Sequence, residues 1–174
     1  MTGESLPNDE LMALFEAARW APSSYNAQPW RFIIARRENH QQWDRFLDLL
    51  VPANQVWAKQ AAVLVVVVSR EIFEHNNKQS VTHAFDAGAA WENLALEAVR
   101  RGLVAHGMQG FDYDRARQQL GIPPEFEVHA MIAIGKRRPR ENLPERVQAM
   151  EEPNSRKPLH EILFEGSFGA AFQK

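Results

Sequence analysis

One stretch, Arg19 to Phe32 (RWAPSSYNAQPWRF), concentrates groups that could do chemistry on a small molecule. Ser23 and Ser24 bring hydroxyls, while Asn26 and Gln28 bring carboxamides, each both a donor and an acceptor. Pro22 and Pro29 fix the backbone on either side, so these groups stay oriented at little further ordering cost when a ligand arrives. Trp20 and Trp30 enclose the segment and are expected to pack beneath it.

Other chemistries find little support. The chain has no cysteine, which excludes disulfides, thiol catalysis and thiolate metal sites. It has no G-x-S-x-G elbow, no G-x-G-x-x-G and no P-loop pattern. His83 and Asp86 lie three residues apart on a helical stretch, and Glu71, Glu74 and His75 are close in sequence. A polar helix face accounts for these, so no metal is expected. The basic run from Lys136 to Arg140 lacks interleaved aromatics and reads as a solvated loop rather than a nucleic-acid surface.

The elements that must position the Ser–Asn–Gln segment follow from periodicity. Leu11, Leu14, Phe15 and Ala18 recur at helical spacing, with Asn8 as the expected cap. Trp30 to Ala35 (WRFIIA) reads as a strand. Trp43, Phe46, Leu47 and Leu50 mark a helix stopped near Pro52, and a short helical turn is expected around Gln55 to Gln60. The β-branched run Ala61 to Val68 reads as a strand buried on both faces, far too short to span a bilayer as a helix. A long helix is expected over Val81 to Arg101, stopped by Gly102. Its small residues at Ala87 to Ala90 suit either a packed central element or a dimer interface. Leu103 to Met108 and Glu127 to Gly135 read as strands. Tyr113 to Leu120 reads as a helix capped by Asp112 and ended by Gly121. From Lys136 to Lys157 the chain carries seven basic and four acidic residues, with prolines. The order of elements predicts an α+β or mixed-sheet α/β domain.

With 174 residues the chain suits one domain, here 1–174, and a net charge of −2 gives no overall attraction to nucleic acid or anionic membrane. The polar N-terminus has no signal-peptide pattern, and with the lack of cysteine a cytoplasmic setting is expected. A flat redox ring with apolar faces and one polar edge, such as isoalloxazine, would use the groups of residues 23–28 well. A rigid structural turn accounts for them equally well.

Longer stretches narrow the choice. EAARWAPSSYNAQPWRF resembles the FMN-dependent nitroreductase family closely, and the likeness continues. It covers ANQVWAKQAAVLVVVV (53–68), DAGAAWENLALEAVRRGLVAHGMQGFD (86–112), LGIPPEFEVHAMIAIG (120–135) and RKPLHEILF (156–164). The resemblance implies a mixed β-sheet flanked by helices and an intertwined homodimer, with residues 165–174 as an extension that embraces the partner. It implies FMN at the subunit interface and NADPH or NADH as hydride donor, with nitroaromatic, quinone or related acceptors. By motif match, Ser23, Ser24, Asn26 and Gln28 would line the ring of the flavin held mainly by the other chain. Asn54 would face the polar edge, and Gln109 and Gly110 would meet the ring largely through backbone groups. Arg156, helped by Lys157, would hold the phosphate. No catalytic side chain is assigned, because the flavin carries the redox chemistry.

Family members usually carry an Arg-Arg-Ser-x-Arg stretch upstream of the position of Ser5, and this sequence starts at Met1 without it. The expectation is that Arg156 carries most of the phosphate charge. The alternatives are a flavin-binding dimer without turnover, its phosphate clamp incomplete, and a different flavin reaction on the same fold, such as dehalogenation or flavin fragmentation.

Overall fold

The structure, a computed structural model, describes residues 1–143 and 145–172. Its contacts divide the chain into two compact units, Met1–Arg138 and Pro139–Lys174. The division falls near the start of the charged, proline-containing stretch.

The first unit is built on a four-stranded sheet in the order β1-β2-β4-β3. The strands are β1 (Trp30–Arg36), β2 (Val63–Arg70), β3 (Leu103–Met108) and β4 (Phe126–Lys136). All three pairings are antiparallel, so the mixed sheet expected from the resemblance is corrected for the described residues. β4, the last strand in sequence, inserts between β2 and β3, which makes those two run alike without touching.

β2 is the centre. Val63, Val65 and Val67 point to one core, and Leu64, Val66 and Val68 to the other, as the two-residue period of a strand requires. The first core is closed by α1 (Asn8–Arg19) and α4 (His83–Arg100) through Leu11, Leu14, Ala87, Ala90, Leu94 and Ala98. The second is closed by α2 (His40–Leu47), α3 (Pro52–Ala58) and α5 (Tyr113–Leu120) through Trp43, Phe46, Ala58 and Ala116. The result is a helix–sheet–helix sandwich.

Local signals set most boundaries. Asp112 accepts the Arg115 N–H at 2.9 Å to cap α5, and Gly121 ends that helix at φ 63°. Asn8 does not cap α1: it is the first helical residue, and Pro7 occupies the cap position with no side-chain bond. Pro52 opens α3 rather than merely stopping α2, because a proline at the first helical position lacks only an N–H that would be unpaired anyway.

β4 contains a bulge. Val67 pairs with Ala130 and Val68 with Val128, leaving His129 as the extra residue. Beyond it the strand changes phase: Val128 joins the second core together with Met131 and Ala133.

The second unit holds α6 (Glu145–Met150) and an isolated bridge between Phe164 and Ala171. The Phe164 and Phe168 rings lie 4.9 Å apart, and Leu159, Ile162 and Phe168 are exposed. Among the described residues, no helix is long and apolar enough to cross a membrane.

Candidate functional site

The Ser–Asn–Gln segment is a strained loop between α1 and β1. Tyr25, Asn26 and Gln28 have φ values of 53°, 54° and 47°, a left-handed region that L-residues other than glycine enter at a cost of about 1–2 kcal/mol each. The strain is held by specific bonds. The Ser23 hydroxyl accepts the Gln28 N–H at 3.0 Å, closing the loop on itself. The Ser24 N–H reaches the Asp86 carboxylate at 3.2 Å, and the Thr82 hydroxyl donates to Ser24 Oγ at 2.7 Å. Thr82 and Asp86 flank the start of α4, so that helix anchors the loop.

These bonds leave useful groups over. The Ser23 oxygen receives a backbone N–H and keeps its own proton for a ligand. The Asn26 amide is exposed and bonds to nothing in the described residues, and Gln28 spends one amide proton on the Asn26 carbonyl at 3.1 Å. Trp30 is buried beneath the loop, as expected. Trp20 is not: it is 73% exposed, and its indole donates to Glu16 at 2.8 Å. Beside the loop lies a cleft of ~320 Å³, lined by Tyr25, Phe73, His75, Arg31 and Arg70 among others.

Asn54, Gln109 and Gly110 form a second group, under the other face of the sheet. Asn54 Nδ2 donates to the Gly110 carbonyl at 3.1 Å, and the Val51 N–H donates to the same oxygen at 3.0 Å. A Cβ on Gly110 would sit 2.7 Å from Asn54 Nδ2 and 3.0 Å from Val51 Cγ2, so a larger residue there would push the Asn54 amide off the Gly110 carbonyl. The Gln109 carbonyl accepts the Phe111 N–H at 3.0 Å. The Gln109 and Gly110 N–H groups have no acceptor among the described residues. Two carbonyls engaged inward beside two N–H groups left open is a donor set that suits the polar rim of a flavin.

The two groups do not meet within one chain. The loop belongs to the α1/α4 face at the β1 edge; Asn54 and Gly110 belong to the α2/α3/α5 face beyond the β3 edge. Three interstrand steps of about 4.8 Å put roughly 14 Å between those edges. No hydrogen bond joins the groups among the described residues.

Arg156 and Lys157 lie in the second unit, exposed. Arg156 donates to the carbonyls of Asn154 at 3.3 Å and Ser155 at 3.2 Å and meets no carboxylate among the described residues. Lys157 has a solvated partner in Glu161 at 3.8 Å.

Sequence reasoning passed over Asp86 and Thr82 as the loop's anchors. It placed His83 and Asp86 on a polar helix face, whereas both are buried. Asp86, four residues after Thr82 and followed by the inward alanines and leucine at 87, 90, 94 and 98, was the available signal. His129 is likewise unforeseen. Burial lowers its pKa below the ordinary imidazole value, with the Glu127 carboxylate opposing.

Comparison with known proteins places the chain in a family. Residues 2–136 match the nitroreductase family. A crystal structure of an oxidoreductase containing FMN is 43% identical, with a TM-score of 0.90, covering 97% of this chain and 86% of that one. An uncharacterized 15.4 kDa protein of Mycolicibacterium smegmatis is 32% identical over 80% of this chain and 97% of its own length. An NADH dehydrogenase of Thermus thermophilus is 28% identical over 76% of this chain and 78% of its own. The chain belongs to the nitroreductase family, a class of flavin oxidoreductases.

Proposed function

We propose that this protein is an FMN-dependent oxidoreductase that takes a hydride from NADH or NADPH and passes electrons to nitroaromatic, quinone or related acceptors, working as a homodimer. The observation that carries the reading is the split site: two sets of ligand-ready groups on opposite faces and edges of one sheet. In a dimer the loop of one chain, with Ser23, Ser24, Asn26 and Gln28, would close over a ring seated on Asn54, Gln109 and Gly110 of the other. Exposed apolar residues support the second chain: α4 presents Phe85 (80% exposed), Leu96 (60%) and Val99 (71%) to solvent.

Bound FMN supplies hydride and electron transfer. The residues would do the positioning. Asn26 and Gln28 offer paired donors and acceptors, and the open N–H groups of Gln109 and Gly110 stabilise negative charge near them without reorganisation. Arg156 suits a phosphate because its planar fork bonds oxygens in pairs, and Lys157 would add charge. The strained backbone keeps the loop in its binding shape before the ligand arrives.

A complementation experiment tests the shared site. An Asn26→Ala/Gln28→Ala chain and an Asn54→Ala/Gly110→Ala chain should each bind FMN weakly alone. Mixed after partial unfolding, they should regain tight binding in about half of the sites of each mixed dimer, because one interface then holds both intact sets. Mixtures no better than either parent would overturn the shared site.

A further inference from the structure

The bulge in β4 has a consequence apart from the flavin reading. Without it, His129 and Glu127 would continue the alternation of Met131 and Ala133 and enter the second core. With it, Val128 takes that side, and His129 and Glu127 turn to the face covered by α4, where His83 lies. His83 Nε2 is 3.5 Å from Glu127 Oε2, and His129 Nδ1 is 4.0 Å from the same oxygen. One ligand atom from each of these residues can be chosen so that all lie within 4.8 Å of one another.

Behind the two rings stands Ser69, fully buried at the end of β2. Its Oγ lies 2.8 Å from His83 Nδ1 and 2.5 Å from His129 Nε2. Those are the ring nitrogens that do not face Glu127. A hydroxyl oxygen has two lone pairs and can accept from both rings at once. Both imidazoles would then present bare nitrogens toward the carboxylate, the form a metal requires. Fixing the tautomer and angle of a ligating histidine through its other nitrogen is how outer-shell partners tune metal sites.

We propose that His83, His129 and Glu127 form a binding site for a divalent transition ion of the zinc class. Ligand bonds of about 2.0–2.2 Å in a tetrahedron place donor atoms roughly 3.4 Å apart, close to the 3.5 Å and 4.0 Å seen here. The two gaps to Glu127 can close by movement of its side chain, which is 50% exposed. The two ring nitrogens, within 4.8 Å of each other, would draw together by small rotations of the imidazoles, whose side chains are 11% and 20% exposed. Three protein ligands leave a further position for water or an exogenous ligand. The ion would bridge α4 to β4 one residue from Thr82 and one helical turn from Asp86, the two anchors of the 23–28 loop.

The test is calorimetric titration of Zn2+ into the chelator-stripped, flavin-free full chain, with Co2+ absorption as a second readout. The expected result is saturable binding of one ion per chain and a raised unfolding temperature. Glu127→Gln and His129→Gln should each weaken binding at least tenfold, and Ser69→Ala about 10–100-fold. Glu127→Gln alters a half-exposed side chain, so it keeps the test decisive if the buried variants fold poorly. Absence of binding, or equal binding by wild type and the Glu127→Gln/His129→Gln double variant, would overturn the proposal. Because flavin is absent throughout, neither result bears on FMN binding.

Discussion

The backbone N–H of Ser24 points to the Asp86 carboxylate at 3.2 Å, a bond spanning 62 residues that joins the loop after α1 to the first turn of α4. Asp86 is 4% exposed, so this is a charge-assisted bond away from bulk water. Asp86→Ala should therefore destabilise the fold by about 1.5–3 kcal/mol and weaken FMN binding as the loop loses its shape. Chemical denaturation and a flavin titration measure the two effects. A variant that loses stability but binds FMN as before would separate the anchor from the site.

A side chain at Gly110 is expected to displace the Asn54 amide. Gly110→Ala should cost about 1–3 kcal/mol through overpacking against Asn54 and Val51, and should turn Asn54 away from the Gly110 carbonyl. FMN affinity should fall with it. Asn54→Ala, which makes room for the methyl group, should recover stability in the double variant but not affinity.

Tyr25 carries strain with little burial in return: φ is 53° and the residue is 84% exposed. Tyr25→Gly should relieve about 1–2 kcal/mol, offset by about 0.5–1 from the freer unfolded glycine. The net effect is a stabilisation of up to about 1.5 kcal/mol, a rise in Tm of roughly 2–4 °C for each kcal/mol gained. A loss of stability would mean that the edge contact of Tyr25 with Phe73, centroids 5.6 Å apart, outweighs the strain.

Acid sensitivity should have a local source in two helices. Glu16 is held down to about 2 by hydrogen bonds from Arg19 and then Trp20, and Glu97 to about 2 by Arg100 and then Arg101. A carboxylate depressed in the fold favours the fold above its unfolded value of 4.5, and that contribution is lost as pH falls toward about 2. The Glu16→Gln/Glu97→Gln double variant should show a flatter decline in stability across that window, by a small margin that added salt reduces. An unchanged acid limb at low salt would count against it.

Much of this fold was legible from side-chain pattern alone. The unbroken run Val63 to Val68 announced a strand buried on both faces, and Asp112 and Gly121 bracketed α5 by cap chemistry. What could not be read was set by tertiary geometry. Strand direction depends on where a later strand inserts, so the antiparallel order around β4 left no local mark. Trp20 looked like core but lies at the end of α1, where Glu16 draws its indole outward. The bulge did leave a trace: Val128 and Met131 are buried on one face at a spacing of three, which a regular strand does not allow. Of the site, the loop and the Asn54–Gly110 pair were visible as motifs, while their separation to opposite faces emerged only from the packing.

The most direct test of the central claim is anaerobic addition of NADH or NADPH to the FMN-loaded protein while the flavin's visible absorbance is followed. Bleaching at substoichiometric enzyme turnover times, with recovery on adding a quinone or nitroaromatic acceptor, is the predicted result. A protein that does not retain FMN, or whose bound FMN stays oxidised with both nucleotides, would contradict the account.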